Sequence, residues 1–201
     1  MSRICPVILL TVCLFLASAP VSAGQAPRSL FSHGSGPVEV LIFTDYFCPP
    51  CQAVEPYLDD ALVKLHQMGA SITFVDMPIY ALTPVFSRYF LYAANASSSF
   101  ADILRIRQIL FDIAKAKTVH SEADLIQALR QNQIPLALLD VKPLFDQWVA
   151  LINRFEVKST PTCVVTRPDQ EMTRYSGGRN IATGVDALVA ELETNRLDSK
   201  E

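Results

Sequence analysis

Cys48 and Cys51 stand two residues apart, with Pro49 and Pro50 between them. Two thiols at this spacing can close into a disulfide and open again, which moves two electrons. The attacking species in such chemistry is the thiolate, which helix N-termini and Cys-x-x-Cys spacing favour. The neighbouring sequence supplies that setting. Residues 38–43 are apolar except for Glu39, as expected of a buried strand. After the pair, Val54, Leu58, Ala61, Leu62 and Leu65 recur at helical spacing, with Gly69 as a stop. Pro50 suits a first helical turn, where its missing N–H loses nothing. Cys48 therefore reads as the nucleophilic thiol at a strand–helix join, with free helix N–H groups and the positive dipole end toward it. Cys51, one turn inward and less exposed, reads as the thiol that resolves a mixed disulfide on Cys48.

Other uses of the pair fit less well. A permanent staple across a two-residue loop removes little chain entropy. Half a zinc site needs a second Cys or His pair, and His33, His66 and His120 are scattered. Two thiolates also suit Cu(I), and a copper-handling module is a rival reading, without the Met and His clusters expected of one. A thiol-independent chaperone working through a helical face is a third reading.

The elements that must hold the pair follow from periodicity. Residues 71–77 are β-branched and apolar, so strand, helix and strand form a parallel βαβ unit. Four helices are then expected: residues 84–96, residues 100–116, a third opened by Ser121, and residues 143–155. Ser121-Glu122-Ala123-Asp124 fits a capping box. Strand signals return at residues 162–166, followed by a turn at residues 167–170 and a second strand at residues 171–175. A last helix is expected over residues 181–192. Phe86, Tyr89, Phe90 and Trp148 read as core, Glu55 and His66 as solvated helix residues, and Cys163 as a small buried hydrophobe.

Residues 1–23 carry one charge, Arg3, then an apolar block, then Val21-Ser22-Ala23. This is the pattern of a cleaved signal peptide, and the block is short for a membrane span of ~20 residues. Cleavage removes Cys5 and Cys13 and leaves Cys48, Cys51 and Cys163. It also reduces 17 basic residues to 16, against 20 acidic. With no basic stripe interleaved with aromatics, nucleic-acid binding is not expected. Export implies a compartment where disulfides are made and exchanged.

The stretch Phe43-Thr44-Asp45-Tyr46-Phe47-Cys48-Pro49-Pro50-Cys51 resembles the active site of the periplasmic thioredoxin-fold disulfide oxidoreductases, the DsbA-like and DsbC/DsbG-like proteins. Val157-Lys158-Ser159-Thr160-Pro161-Thr162 is similar to that fold's second signature, a cis-proline that faces the cysteines. The resemblance covers residue 39 to about residue 192. It implies an α/β thioredoxin fold (β-α-β … β-β-α) with a four-helix domain inserted between the second strand and the cis-proline strand. The expected divisions are a signal peptide at 1–23, an N-terminal lead at 24–37, the first part of the thioredoxin fold at 38–82, the helical domain at 83–156, the second part at 157–195 and a tail at 196–201. Thr160 and Pro161 are expected to hold a polypeptide substrate, since proline's lack of N–H lets a strand lie beside Thr160. Protein substrates with cysteines and a DsbB- or DsbD-like membrane redox partner are implied. No cofactor beyond the Cys48–Cys51 disulfide is implied.

Two departures narrow the expectation. The buried acid that many relatives carry six residues before the first cysteine is Ile42 here, which leaves Asp45 as a solvated loop residue or a substitute proton relay. Pro50 replaces the histidine of typical DsbA-like proteins, which implies a weaker oxidant. With only residues 24–37 ahead of the first strand, a monomer is expected.

Overall fold

The computed structural model describes residues 32–168 and 170–198. The signal segment expected at 1–23 and most of the expected lead lie outside the described residues. So does Asp169 in the turn before the last strand.

The sheet explains why so many elements meet near Cys48. Its strands are β1 (Ser32–His33), β2 (Glu39–Thr44), β3 (Ser71–Asp76), β4 (Thr162–Thr166) and β5 (Thr173–Ser176). They lie in the order β1-β3-β2-β4-β5. β2 is central, and Val40, Leu41, Ile42 and Phe43 are buried on both faces, which is why its sequence is a continuous apolar run without alternation. β3 runs parallel to β2, with Thr44 opposite Asp76. β4 runs antiparallel, with Phe43 opposite Thr162. Three chain segments therefore arrive at the C-terminal end of β2: its own exit toward Cys48, the exit of β3 past Asp76, and the entry to β4 through Thr160–Pro161.

Helix α1 (Pro49–Gln67) follows β2 and buries Val54, Leu58, Ala61, Leu62 and Leu65. Between β3 and β4 come α2 (Thr83–Asn95), α3 (Phe100–Ala116), α4 (Glu122–Gln131) and α5 (Lys142–Arg154). Ser121 caps α4 in the expected box with Asp124. Helix α6 (Gly178–Asp198) is longer at both ends than its apolar spacing indicates. α1 packs on α6 and on α3, and α3 packs on α2. Phe86, Tyr89, Phe90 and Trp148 are core residues.

The lead before β2 is less loose than its Ser and Gly content suggests. Ser32 and His33 pair with β3 as an edge strand. A Cβ on Gly34 would lie 2.2 Å from the Ala70 carbonyl oxygen, and one on Gly36 would lie 2.0 Å from that of Gly69. Glycine is needed there because two backbones touch. His66, expected in solvent, is half-buried and stacks on Phe100 with ring centroids 4.5 Å apart.

Candidate functional site

Cys48 is the N-cap of α1, in extended conformation, with Pro49 and Pro50 at the first two helical positions. This corrects the expectation of several free N–H groups at the helix start. Neither proline has an N–H, and Gln52 N–H already donates to the Cys48 carbonyl at 3.0 Å. Cys51 is left as the only peptide donor among the first three helical positions. What remains toward Cys48 is mainly the helix dipole.

The three thiols differ in access. Cys48, Cys51 and Cys163 are free thiols. Cys48 retains 7% exposure, whereas Cys51 and Cys163 have none. Burial pushes the Cys51 thiol well above the ordinary range, opposed by the Asp45 backbone N–H and the Thr160 hydroxyl. Cys163 lies in β4 opposite Ile42, and burial alone raises it to about 12. Its place in the sheet agrees with a buried small hydrophobe.

Thr160–Pro161 is a cis peptide bond. The Cys48 thiol donates to the Thr160 carbonyl at 3.5 Å. The Thr160 hydroxyl is buried without a hydrogen-bond partner and lies on the side of Cys51. One residue thus stands beside both cysteines, and its carbonyl accepts from Cys48. The loop is held from both ends. Gly177 N–H donates to the Pro161 carbonyl at 3.0 Å, and the Thr162 hydroxyl donates to the Ser159 carbonyl at 2.8 Å.

The placement of Asp45 overturns one of its two expected readings. It is fully buried, so it is not a solvated loop residue. Its carboxylate accepts from Phe47 N–H at 2.8 Å, Ile79 N–H at 2.9 Å, Tyr80 N–H at 3.2 Å and the Thr83 hydroxyl at 2.7 Å. Its main chain faces Cys51, while its carboxylate ties the β3–α2 loop to the Cys48 turn. Both carboxylate oxygens are engaged by these donors.

A second polar group beneath the pair is absent from the sequence reading. Arg107, on α3, has no exposure. Its Nε donates to Glu55 at 2.7 Å, and its Nη2 donates to the other Glu55 oxygen at 3.2 Å and to the Thr44 hydroxyl at 3.0 Å. Asp76 lies 3.7 Å from its Nη1. The guanidinium also sits 4.0 Å from the Phe74 ring centroid and 5.4 Å from that of Phe111. Glu55, expected in solvent, is therefore a buried partner. Burial opposes the Arg107 charge, yet Glu55 more than restores it, and the guanidinium stays charged. Asp76 is held at about 6 by burial, with Arg107 pulling the other way. The available signal was an arginine in a helix whose neighbours Ile103, Leu104, Ile106 and Leu110 all point inward.

No family model matches the sequence, and no curated protein does. Solved structures do match. ScsC of Proteus mirabilis superposes with a TM-score of 0.61 at 18% identity, over 82% of this chain and 72% of that one. The α-DsbA1 of Wolbachia pipientis gives 0.59 at 11% identity, over 83% of this chain and 94% of that one. The fold is the DsbA-like thioredoxin fold. A periplasmic thioredoxin-like protein of Salmonella enterica serovar Typhimurium has the same fold, with a TM-score of 0.54 at 20% identity over 80% of this chain and 89% of that one. In this DsbA-like frame the βαβ unit presents Cys48, and the β4 entry brings Thr160 to it.

Proposed function

We propose that the chain is a periplasmic thiol–disulfide oxidoreductase acting on cysteine-containing proteins through Cys48 and Cys51. The observation that carries this reading is the contact of one partly exposed thiol with the Thr160 carbonyl, beside a second, fully buried thiol. A structural disulfide needs no such asymmetry, and exchange does. In the dithiol direction, the Cys48 thiolate attacks a substrate disulfide. A Cys48–substrate S–S bond forms, and one substrate thiolate leaves. Cys51 then gives up its proton and attacks Cys48 Sγ, which expels the second substrate thiolate. The substrate gains two electrons and two protons, and Cys48–Cys51 becomes the disulfide. The reverse sequence oxidises a substrate dithiol.

Thr160 and Pro161 are assigned to the substrate strand, and Asp45 is assigned to the frame. The pair itself carries the electrons, so the chemistry calls for no further cofactor. A membrane redox partner of the DsbB or DsbD kind returns the pair to its working state. With one peptide donor at the start of α1, we expect a weaker oxidant than typical DsbA-like proteins, read as its potential against glutathione. Replacing Cys48 by Ser is expected to abolish insulin reduction by the protein with dithiothreitol. Full activity in that variant refutes the assignment.

A further inference from the structure

An open groove of about 720 Å³ runs from the Cys48 turn to the end of α3. Phe47 and Pro49, the two neighbours of Cys48 in sequence, both line it, so it opens beside the Cys48 turn. Tyr80, Leu82 and Val119 add apolar wall, and Lys115, Lys117 and His120 form the far rim. The Asp45 carboxylate builds this wall, because it holds the N–H groups of both Phe47 and Tyr80. The two rings lie 6.2 Å apart.

The rim is positive in a chain whose net charge is -3. Among the described residues, neither Lys115 nor Lys117 belongs to an ion pair. The nearby acids of α4 are committed elsewhere. Glu122 pairs with Arg88 at 2.8 Å and accepts from the Tyr89 hydroxyl at 2.8 Å. Asp124 accepts from the N–H groups of His120 and Ser121. Asp112, one turn before Lys115 on α3, is the remaining exposed acid on that helix end. Lys115 and Lys117 also complement the C-terminal dipole of α3, and their exposed ammonium groups remain open to a second partner.

We propose that this groove selects the substrate segment beside the reacting cysteine, favouring one with a large apolar side chain followed by carboxylates. The apolar wall takes the side chain, and Lys115 and Lys117 take the carboxylates. The proposal rests on the exchange activity assigned to Cys48 and names the substrate class of that same site.

The test uses the reduced protein and synthetic peptides whose single cysteine is capped as a disulfide with a chromogenic thiol. Cys48 attacks the peptide sulfur, an S–S bond to the peptide forms, and the chromogenic thiolate is released and read. Peptides with Phe followed by Asp-Asp, Ser-Ser or Lys-Lys are compared at low salt. Asp-Asp is expected to react about tenfold faster than Lys-Lys, the order of two exposed charge contacts. The preference is expected to shrink at high salt and to reverse in the double variant Lys115→Glu, Lys117→Glu. Uncharged 2-hydroxyethyl disulfide, which does not reach the rim, should react equally with both proteins. If it reacts and the peptides show no charge preference, or the preference survives charge reversal, the groove assignment is wrong. If it fails to react at Cys48, the exchange reading itself is wrong.

Discussion

Two polar sites meet at the C-terminal end of β2, and they are built on opposite terms. Around Cys48, polar atoms are left for a partner to use: a thiol with 7% exposure, a half-buried Thr160 and a groove reaching toward two lysines that form no ion pair among the described residues. Around Arg107, the charged groups are sealed inside the core and face one another, with Arg107 Nη1 and both Asp76 oxygens making no hydrogen bond. The guanidinium is enclosed by Glu55, Asp76, Thr44 and aromatic rings. The first arrangement suits turnover, because a reacting group must be reachable. The second suits immobility, because a buried charge is tolerated only where its geometry is fixed. α1 belongs to both, with Cys51 and Glu55 one turn apart on its buried side. Arg107 thereby ties the helix that carries the cysteines to α3 of the helical segment.

The contrast is sharpest when the buried partner is removed. Arg107→Ala leaves Glu55 and Asp76 as uncompensated buried acids, and a loss of about 3–5 kcal/mol in unfolding free energy is expected. Denaturant melts of the two proteins read this directly, and a loss near that of the exposed Lys142–Asp146 pair, about 0–1 kcal/mol, would erase the distinction between interior and surface. Asp45→Ala probes the boundary between the two sites. It strips an acceptor from three N–H groups and a hydroxyl, with an expected loss of roughly 3 kcal/mol. It should also slow attack on Phe-containing peptides more than attack on 2-hydroxyethyl disulfide. Equal slowing of both would mean that Asp45 serves the thiols and not the groove.

Asp76 gives an effect of opposite sign, with a defined pH window. Its folded pKa, about 6, lies above the ordinary aspartate value of 3.8. The folded state therefore binds the proton more tightly than the unfolded one, and stability falls as pH rises between those values. Asp76→Asn removes the ionisation. It should raise stability by roughly 3 kcal/mol at pH 8, and the gain should vanish below pH 4. Unfolding curves across pH 3–8 check both the size and the sign.

The two sites also differ in how far the sequence reveals them. Cys48, Cys51 and Thr160–Pro161 are contiguous signatures, and β2, α1 and β4 follow from an apolar run, a helical spacing and a β-branched run. Local patterns of this kind survive without coordinates. Glu55, Arg107 and Asp76 belong to three elements separated by tens of residues, and each looks like an ordinary charged residue in its own window. Only the packing of α3 on α1 brings them together. Asp45 is an intermediate case. Its type suggests a role near Cys48, but most of the donors that hold its carboxylate come from Ile79, Tyr80 and Thr83, beyond β3. The prolines carry a similar lesson, since they start α1 as expected and also remove two N–H groups from its first turn.

Trapping the first intermediate tests the central claim most directly. In Cys51→Ala, a mixed disulfide formed at Cys48 has no resolving thiol. Incubation with a disulfide-bonded peptide followed by mass spectrometry of the digest should show the peptide attached to Cys48. Labelling of Cys163, or no adduct at either cysteine, would contradict the assignment of Cys48 as the nucleophile.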